Sequence, residues 1–238
     1  MSRRYVAFDI ETAKILPADV GDVLAHRPLG IACAAAVMFD RPEARTWFGA
    51  GPVPAPRLSQ AEAKGLVADL AGLVRDGYTI LSWNGLSFDF NVLAEESGLA
   101  EECARLAKNH VDMMFHAVCA LGHFVGLQAV AEALRIPGKA GGLTGAEAPG
   151  RWAAGFHEEV LAYNVQDARL ALAVAQQCEQ RRQLLWVTRK GRVGRMALPD
   201  GWLTVEEAGR LPLPDTSWMS QPPTRERFTA WMPPDVLA

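Results

Sequence analysis

The spacing of apolar and polar positions predicts strands and a helix in the first part of the chain. Apolar runs over residues 5–10, 29–39 and 44–48 are typical of buried strands. Because short links join these three successive runs, they predict an antiparallel meander. A helical pattern over residues 59–75 and another apolar run over residues 78–83 then predict a helix and a fourth strand.

The second half of the chain is dominated by helical patterns. They predict a helix opening at residues 90–94, a short strand over 110–112, helices through residue 121 and over 127–134, a glycine-rich loop over 137–150, and a long helix over 157–182. The order of three strands, helix, strand, helix, strand and helices is typical of an α/β domain. We therefore expect a mixed central sheet flanked by helices.

The pattern changes after Arg182. Strand-like runs over residues 186–188 and 193–198 flank a basic turn, which predicts a hairpin. The remaining residues are rich in Pro and Trp and only weakly periodic. We expect a domain over residues 1–182 and a C-terminal extension over residues 183–238 that wraps this domain and opens with the basic hairpin.

Composition limits the classes of partner. The chain has 24 basic and 27 acidic residues, so nucleic acid would have to bind at a local basic patch. The four cysteines are isolated in apolar or helical contexts, which favours buried thiols in a reducing compartment over disulfides or zinc ligands. The N-terminal run is too short and acidic for a signal peptide, and residues 29–39 are too few to span a bilayer. We expect a soluble cytoplasmic protein with no membrane partner.

Two acidic patterns lie where predicted strands end. Asp9 and Glu11 are two apart on the first strand, so both side chains share one face. Asp89 follows the turn Asn84-Gly85 at the start of a predicted helix. Each pattern also has an ordinary explanation, since the first strand could simply end at Asp9 and an aspartate is a preferred helix cap.

A third pattern lies in the long C-terminal helix of the domain. Tyr163 and Asp167 are four residues apart and therefore project from the same helix face. Taken alone, this pair is better explained by an ordinary amphipathic helix with Asp167 on its solvated side. Together with Asp9, Glu11 and Asp89, it indicates a cluster of carboxylates gathered from three separate elements.

The three patterns together resemble the motifs of the DEDD exonucleases of the ribonuclease H-like superfamily. The first motif reads Phe8-Asp9-Ile10-Glu11-Thr12, the second Asn84-Gly85-Leu86-Ser87-Phe88-Asp89, and the third runs from Tyr163 to Asp167. The histidine branch would have a histidine five residues before the last aspartate, where this chain has Ala162, so the tyrosine branch is indicated. The resemblance covers roughly residues 5–180 and is closest to the proofreading domains of family B DNA polymerases.

This resemblance implies a ribonuclease H-like fold and a metal-dependent 3′–5′ exonuclease. Two divalent cations, Mg²⁺ or Mn²⁺, would be held by Asp9, Glu11, Asp89 and Asp167, in keeping with the preference of hard cations for carboxylate oxygen. Asp9 would bridge both ions, and Glu11 and Asp167 would complete the site of the nucleophilic water. Asp89 would act on the second ion, and Tyr163 would orient the water.

The substrate implied by the resemblance is nucleic acid with a free 3′ end, single-stranded DNA being favoured over RNA. Thr12, Asn84 and Phe88 are candidates for contacting the terminal nucleotide, although Phe88 could equally be part of the core. The basic residues of the predicted hairpin, Arg189, Lys190 and Arg192, could bind backbone phosphates or be merely solvated.

Several alternatives stay open from the sequence. The protein could be an exoribonuclease acting on RNA 3′ ends, a catalytically silent nucleic-acid-binding module, or an endonuclease on the same fold. Asp112 could support the metal ligands or cap a turn or helix. The loop over 137–150 could close over substrate or only connect two elements. No motif identifies a protein partner.

Overall fold

The computed structural model describes residues 3–17, 19–137 and 142–237. Its central strands are β1 (Tyr5–Thr12), β2 (Ile31–Met38), β3 (Ala44–Phe48), β4 (Thr79–Ser82) and β5 (Val111–Asp112). They form one sheet in the order β3-β2-β1-β4-β5. The strands β1, β2 and β3 pair antiparallel, whereas β4 pairs parallel with both β1 and β5. The predicted meander and the predicted mixed α/β sheet are both confirmed.

Helices cover both faces of this sheet. They are α1 (Gln60–Arg75), α2 (Asp89–Ser97), α3 (Ala100–Asn109), α4 (Met113–Leu121), α5 (Leu127–Leu134), α6 (Ala148–Ala153) and α7 (His157–Arg181). Helix α1 begins with a capping box, in which the side chains of Ser59 and Glu62 each accept from the other residue's backbone N–H. No helix in the described ranges is both long and apolar enough to cross a bilayer.

Alternate residues of β1 pack into opposite layers. Val6 and Phe8 join a core with residues of α1 and α2, whereas Ala7 joins a second core with residues of α7. Since successive side chains of a strand point to opposite faces, Asp9 and Glu11 share the phase of Ala7. The strand therefore directs both carboxylates toward the α7 layer.

The C-terminal extension is folded onto the domain. It comprises the hairpin β6 (Gln183–Val187) and β7 (Val193–Ala197), then the short helices α8 (Val205–Gly209), α9 (Glu226–Thr229) and α10 (Pro234–Leu237). Buried aromatic side chains anchor it: Trp202 and Phe228 are 0% and 2% exposed. The indole Nε1 of Trp202 donates to the carbonyl oxygen of Ala175 in α7 at 3.2 Å. The strands β6 and β7 pair antiparallel. The division of the chain into a domain over residues 1–182 and an extension over residues 183–238 stays a prediction.

Three elements differ from the sequence prediction. Helix α3 was not predicted: half of its residues are polar or charged, and its buried positions hold only the small residues Cys103, Ala104 and Ala107. Strand β2 is shorter than the apolar run 29–39. The loop predicted over 137–150 is wrong at its end, where Ala148 begins α6, and residues 138–141 lie outside the described residues.

Candidate metal centre and active-site cleft

Three carboxylates from β1 and α7 converge. One carboxylate oxygen each of Asp9, Glu11 and Asp167 lies within 4.8 Å of the other two. Glu11 is buried at 6% exposure, and the other two are half-buried. Among the described residues, this is the single group of acidic, histidine or cysteine side chains close enough to hold one metal ion. An all-oxygen set of this kind fits a hard divalent cation rather than zinc.

Helix α7 contributes a residue that the sequence analysis missed. The amide Nδ2 of Asn164 donates to Oδ2 of Asp9 at 2.6 Å, and Asn164 is completely buried. A signal was available, because Asn164 lies three residues before Asp167 and thus on the same helix face. Tyr163, also buried, borders the same cleft, so the i, i+4 pair does not form a solvated face.

The fourth predicted carboxylate, Asp89, approaches β1 from α2. Its Oδ1 accepts from the backbone N–H of Ile10 at 3.0 Å, and its side chain is 5% exposed. Burial raises the pKa of Asp89 to about 7, opposed by the hydrogen bond from Ile10 and reinforced by the negative charge of Asp112. Asp89 is the first residue of α2 rather than its cap, which is Phe88. The helix-cap explanation of Asp89 is therefore wrong.

Asp112 organises the loop that carries the second motif. Its Oδ1 accepts from the backbone N–H groups of Asn84 and Phe115, both at 3.0 Å, and its Oδ2 accepts from that of Leu86 at 2.8 Å. Asn84 has a positive φ of 73°, a conformation that non-glycine residues seldom adopt. Asp112 thus caps α4 through Phe115 and also fixes the turn that leads to Asp89.

Gly85 is required in this turn by close packing. A Cβ atom at this position would clash with the Oγ of Ser82 and lie 2.7 Å from its Cβ. The same Oγ accepts from the N–H of Gly85 at 3.1 Å and lies 3.0 Å from Nε2 of His110. The turn is therefore held from both sides, which gives Asn84 and Asp89 defined positions.

The acidic residues line a cleft of 410 Å³. All predicted contacts to the terminal nucleotide lie on its wall: Thr12, Asn84 and Phe88. Phe88 is half-buried, borders the cleft and also packs against the hydrophobic core. Its position is therefore compatible both with contact to a terminal nucleotide and with core packing. Residues just before and within α6 close another side of the cleft, including Gly145 and Pro149.

The predicted basic residues of the hairpin lie elsewhere. Arg189, Lys190 and Arg192 are exposed at the turn between β6 and β7 and are not among the residues that line the cleft. Their contact with nucleic acid stays a prediction. The four cysteines are free and buried, as predicted, and burial raises the pKa of the Cys119 thiol to about 11.

Comparison with known proteins agrees with this architecture. The model of the RNase H superfamily matches residues 46–178, which include α2 and most of α7 but not β1. No curated protein matches the chain significantly. Among solved structures, the family B DNA polymerase from the hyperthermophilic archaeon Pyrobaculum calidifontis superposes with a TM-score of 0.55 and 18% identity.

That superposition covers 75% of this chain and 25% of the polymerase chain, so this chain corresponds to about a quarter of the polymerase. At such low identity the likeness concerns the fold alone. The family match is stronger, because it extends over more than half of the residues. The chain belongs to the ribonuclease H superfamily.

Proposed function

We propose that this protein is a metal-dependent 3′–5′ exonuclease of the tyrosine branch, which removes nucleotides from the 3′ end of single-stranded DNA in preference to RNA. The proposal depends chiefly on one observation: oxygens of Asp9, Glu11 and Asp167 lie within 4.8 Å of one another. Asp89 and Tyr163 border the same cleft, so the whole motif set faces one space.

The donor set suits two divalent cations, Mg²⁺ or Mn²⁺. Asp9, Glu11 and Asp167 would hold one ion, and Asp9 with Asp89 the other. When bound, such ions would activate a water and relieve negative charge on the leaving 3′ oxygen. Asn164 would keep the Asp9 carboxylate in one orientation through its 2.6 Å hydrogen bond.

Tyr163 has a positioning role in this proposal. A free tyrosine has a pKa of about 10 and is a poor general base at physiological pH. A neutral hydroxyl can still donate to or accept from the attacking water. The burial of Tyr163 on α7, one turn before Asp167, supports a fixed orientation of that hydroxyl.

The cleft supports action at strand ends. Its volume of 410 Å³ lies in the usual range for small-ligand sites and suits one nucleotide better than a continuous duplex. Phe88 offers a ring on which the terminal base can stack. Thr12 and Asn84 offer polar groups for the terminal sugar. All four carboxylates are present, which argues against a catalytically silent module.

The direct test is digestion of 5′-labelled single-stranded DNA and RNA of identical sequence with Mg²⁺, Mn²⁺ or EDTA. We expect DNA to shorten stepwise from its 3′ end with release of mononucleotides, and no cleavage in EDTA. A 3′-phosphorylated strand should be digested more slowly, and circular single-stranded DNA should stay intact.

Each rival function gives a different result in the same assay. Faster digestion of the RNA strand would identify an exoribonuclease, and nicking of the circle an endonuclease. Binding without cleavage under any metal condition would identify a silent module. Cleavage that persists in EDTA would contradict the metal mechanism itself.

A further inference from the structure

A second cleft adjoins the acidic one. Its volume is 450 Å³, and it shares the wall residues Val23, Asn84 and Phe88 with the acidic cleft. Its outer wall includes Arg227 and Trp231 of the C-terminal extension. The two clefts are therefore neighbours that share a wall, and the extension contributes to the lining of the second cleft.

The extension is fixed at this point. The indole Nε1 of Trp231 donates to the carbonyl oxygen of Leu86 at 2.7 Å, within the turn of the second motif. Phe228 is buried, with its ring centroid 5.2 Å from that of Phe115 and 6.0 Å from that of Phe124. Helix α9, which carries Phe228, is thus held as a wall and not as a loose tail.

The chemistry of the second cleft suits unpaired nucleotides. Phe124 is 48% exposed, and the half-buried rings of Phe88 and Trp231 also border the cleft, so base faces have partners for stacking. Two arginines supply positive charge for phosphates, Arg227 and Arg27.

The two arginines have different surroundings. Arg27 is already oriented by Oδ1 of Asn91 at 2.6 Å and by Glu95 at 3.9 Å. Asp22 also borders the cleft, and its carboxylate accepts from the N–H of Leu24 at 3.1 Å. Arg227 is exposed at the outer wall, which makes it the cation best located to meet a phosphate that enters from solvent.

We infer that the second cleft holds the nucleotides that precede the 3′-terminal one in a single strand, and this rests on the proposed function. The scissile phosphate must reach the carboxylates, with the terminal nucleotide beyond it in the acidic cleft. The second cleft, which meets the acidic cleft at Asn84 and Phe88, then receives the preceding nucleotide. The extension gives it aromatic faces and a cation along that path.

The test measures binding without cleavage. Fluorescence anisotropy in EDTA at low ionic strength compares 5′-fluorescein-labelled dT2 and dT8 on the full chain. We expect wild type to bind dT8 at least about 10-fold more tightly than dT2. Phe124→Ala and Arg227→Ala should each reduce that ratio by roughly 5-fold or more, since stacking or a phosphate contact is lost.

Matched controls separate this effect from general damage. Phe156 is also 48% exposed but borders neither cleft, and Arg75 is exposed at the end of α1 that precedes β4, opposite the site. Phe156→Ala and Arg75→Ala should leave the ratio within about 2-fold of wild type. The melting temperature of each of the four variants is measured to check that it is folded. Because Arg227 is exposed, its replacement should change the stability little.

The outcomes distinguish the two proposals. An unchanged ratio of dT8 to dT2 affinity in Phe124→Ala and Arg227→Ala, or no detectable binding of dT8, would contradict the proposed role of the second cleft. This holds even if the enzyme digests DNA from its 3′ end. If both variants show the expected reduction in the ratio of dT8 to dT2 affinity but the protein never cleaves DNA, the strand path is supported and the exonuclease proposal is contradicted.

Discussion

The side-chain amide nitrogen of Asn164 lies 2.6 Å from Oδ2 of Asp9, across the contact between α7 and β1. Asn164 is fully buried and Asp9 is half-buried, so this part-buried hydrogen bond holds the carboxylate in one orientation. The bond joins the first and third sequence motifs directly. It makes the geometry of the proposed metal centre depend on a neutral residue next to Tyr163.

Removal of this donor should weaken metal binding. Asn164→Leu keeps a similar volume but cannot donate to Asp9, and loss of such a support typically costs about 10- to 100-fold in metal affinity. Calorimetric titration with Mn²⁺ measures the change. Gln176→Ala, an exposed change on the same helix, is the control and should bind Mn²⁺ as wild type does. Equal affinities in all three proteins would show that Asn164 has only a packing role.

Metal should also stabilise the fold. The cluster brings at least three carboxylates close together, and a cation that binds only the folded state adds about 2.7 kcal/mol at a hundredfold excess over Kd. For a chain of this size that corresponds to a rise in Tm of roughly 5–10 °C. Differential scanning calorimetry with Mn²⁺ and with EDTA checks it, and Glu11→Gln should show a smaller rise. An identical Tm in both buffers would argue against a metal centre.

Substitutions of the proposed metal ligand Asp167 and of the proposed positioning residue Tyr163 should have different effects. Asp167→Asn removes a charge from the cluster and should lower kcat by on the order of 10³ or more, by analogy with loss of a strong transition-state stabiliser. Tyr163→Phe removes only a hydroxyl and should cost roughly 10- to 100-fold. Mn²⁺ affinity should fall for the first variant and stay nearly constant for the second. Wild-type rates in both variants would show that Tyr163 and Asp167 have no catalytic role.

Much of this site could be predicted from sequence because its signals are local. Period two located Asp9 and Glu11 on one strand face, and the i, i+4 rule located Tyr163 and Asp167 together. Asn164 was missed although it follows the same rule, because a neutral amide in a helix suggests no chemistry until its distance from Asp9 is known. Its partner is 155 residues away in the chain.

The extension was harder to predict for a related reason. Its attachment combines scattered aliphatic side chains, such as Val205 and Met232 in the core, with indole hydrogen bonds from Trp202 to Ala175 and from Trp231 to Leu86. Such contacts leave no periodicity in the sequence. The second cleft is built from distant segments of the chain, so the sequence does not show that Phe124 and Arg227 line the same cleft.

Loss of the Asp112 carboxylate should destabilise the turn of the second motif. Three backbone N–H groups depend on it, and the side chain is 1% exposed. Asp112→Ala leaves these buried donors unsatisfied and should lower the free energy of unfolding by about 2–4 kcal/mol. Urea denaturation measures it. Asp76→Ala, at an exposed helix end, should change stability by less than about 1 kcal/mol. A loss for Asp112→Ala no larger than that of the control would contradict the role in the turn.

The last prediction concerns a buried histidine under the extension. Nδ1 of His116 lies 3.2 Å from the backbone N–H of Leu203, from which it accepts, and its ring meets Trp202 edge-on at 5.5 Å. Burial lowers the pKa of His116 to about 4, with weaker opposing influence from Glu207. In the unfolded chain this pKa is about 6.5, so the unfolded state binds more protons between pH 6.5 and 4.

Stability from His116 is therefore present above pH 6.5 and lost as pH falls through that window, by about 2 kcal/mol at pH 5. His116→Asn retains an acceptor near Nδ1 but does not titrate. The raised pKa of Asp89 acts in the opposite direction, since a folded state that binds its proton more readily gains stability as pH falls. The quantity to measure is thus the difference in unfolding free energy between wild type and His116→Asn, in which Asp89 cancels. As the pH falls from 7 to 5, wild type should lose about 2 kcal/mol of unfolding free energy relative to His116→Asn. A difference that stays constant with pH would contradict the lowered pKa of His116 in the folded protein.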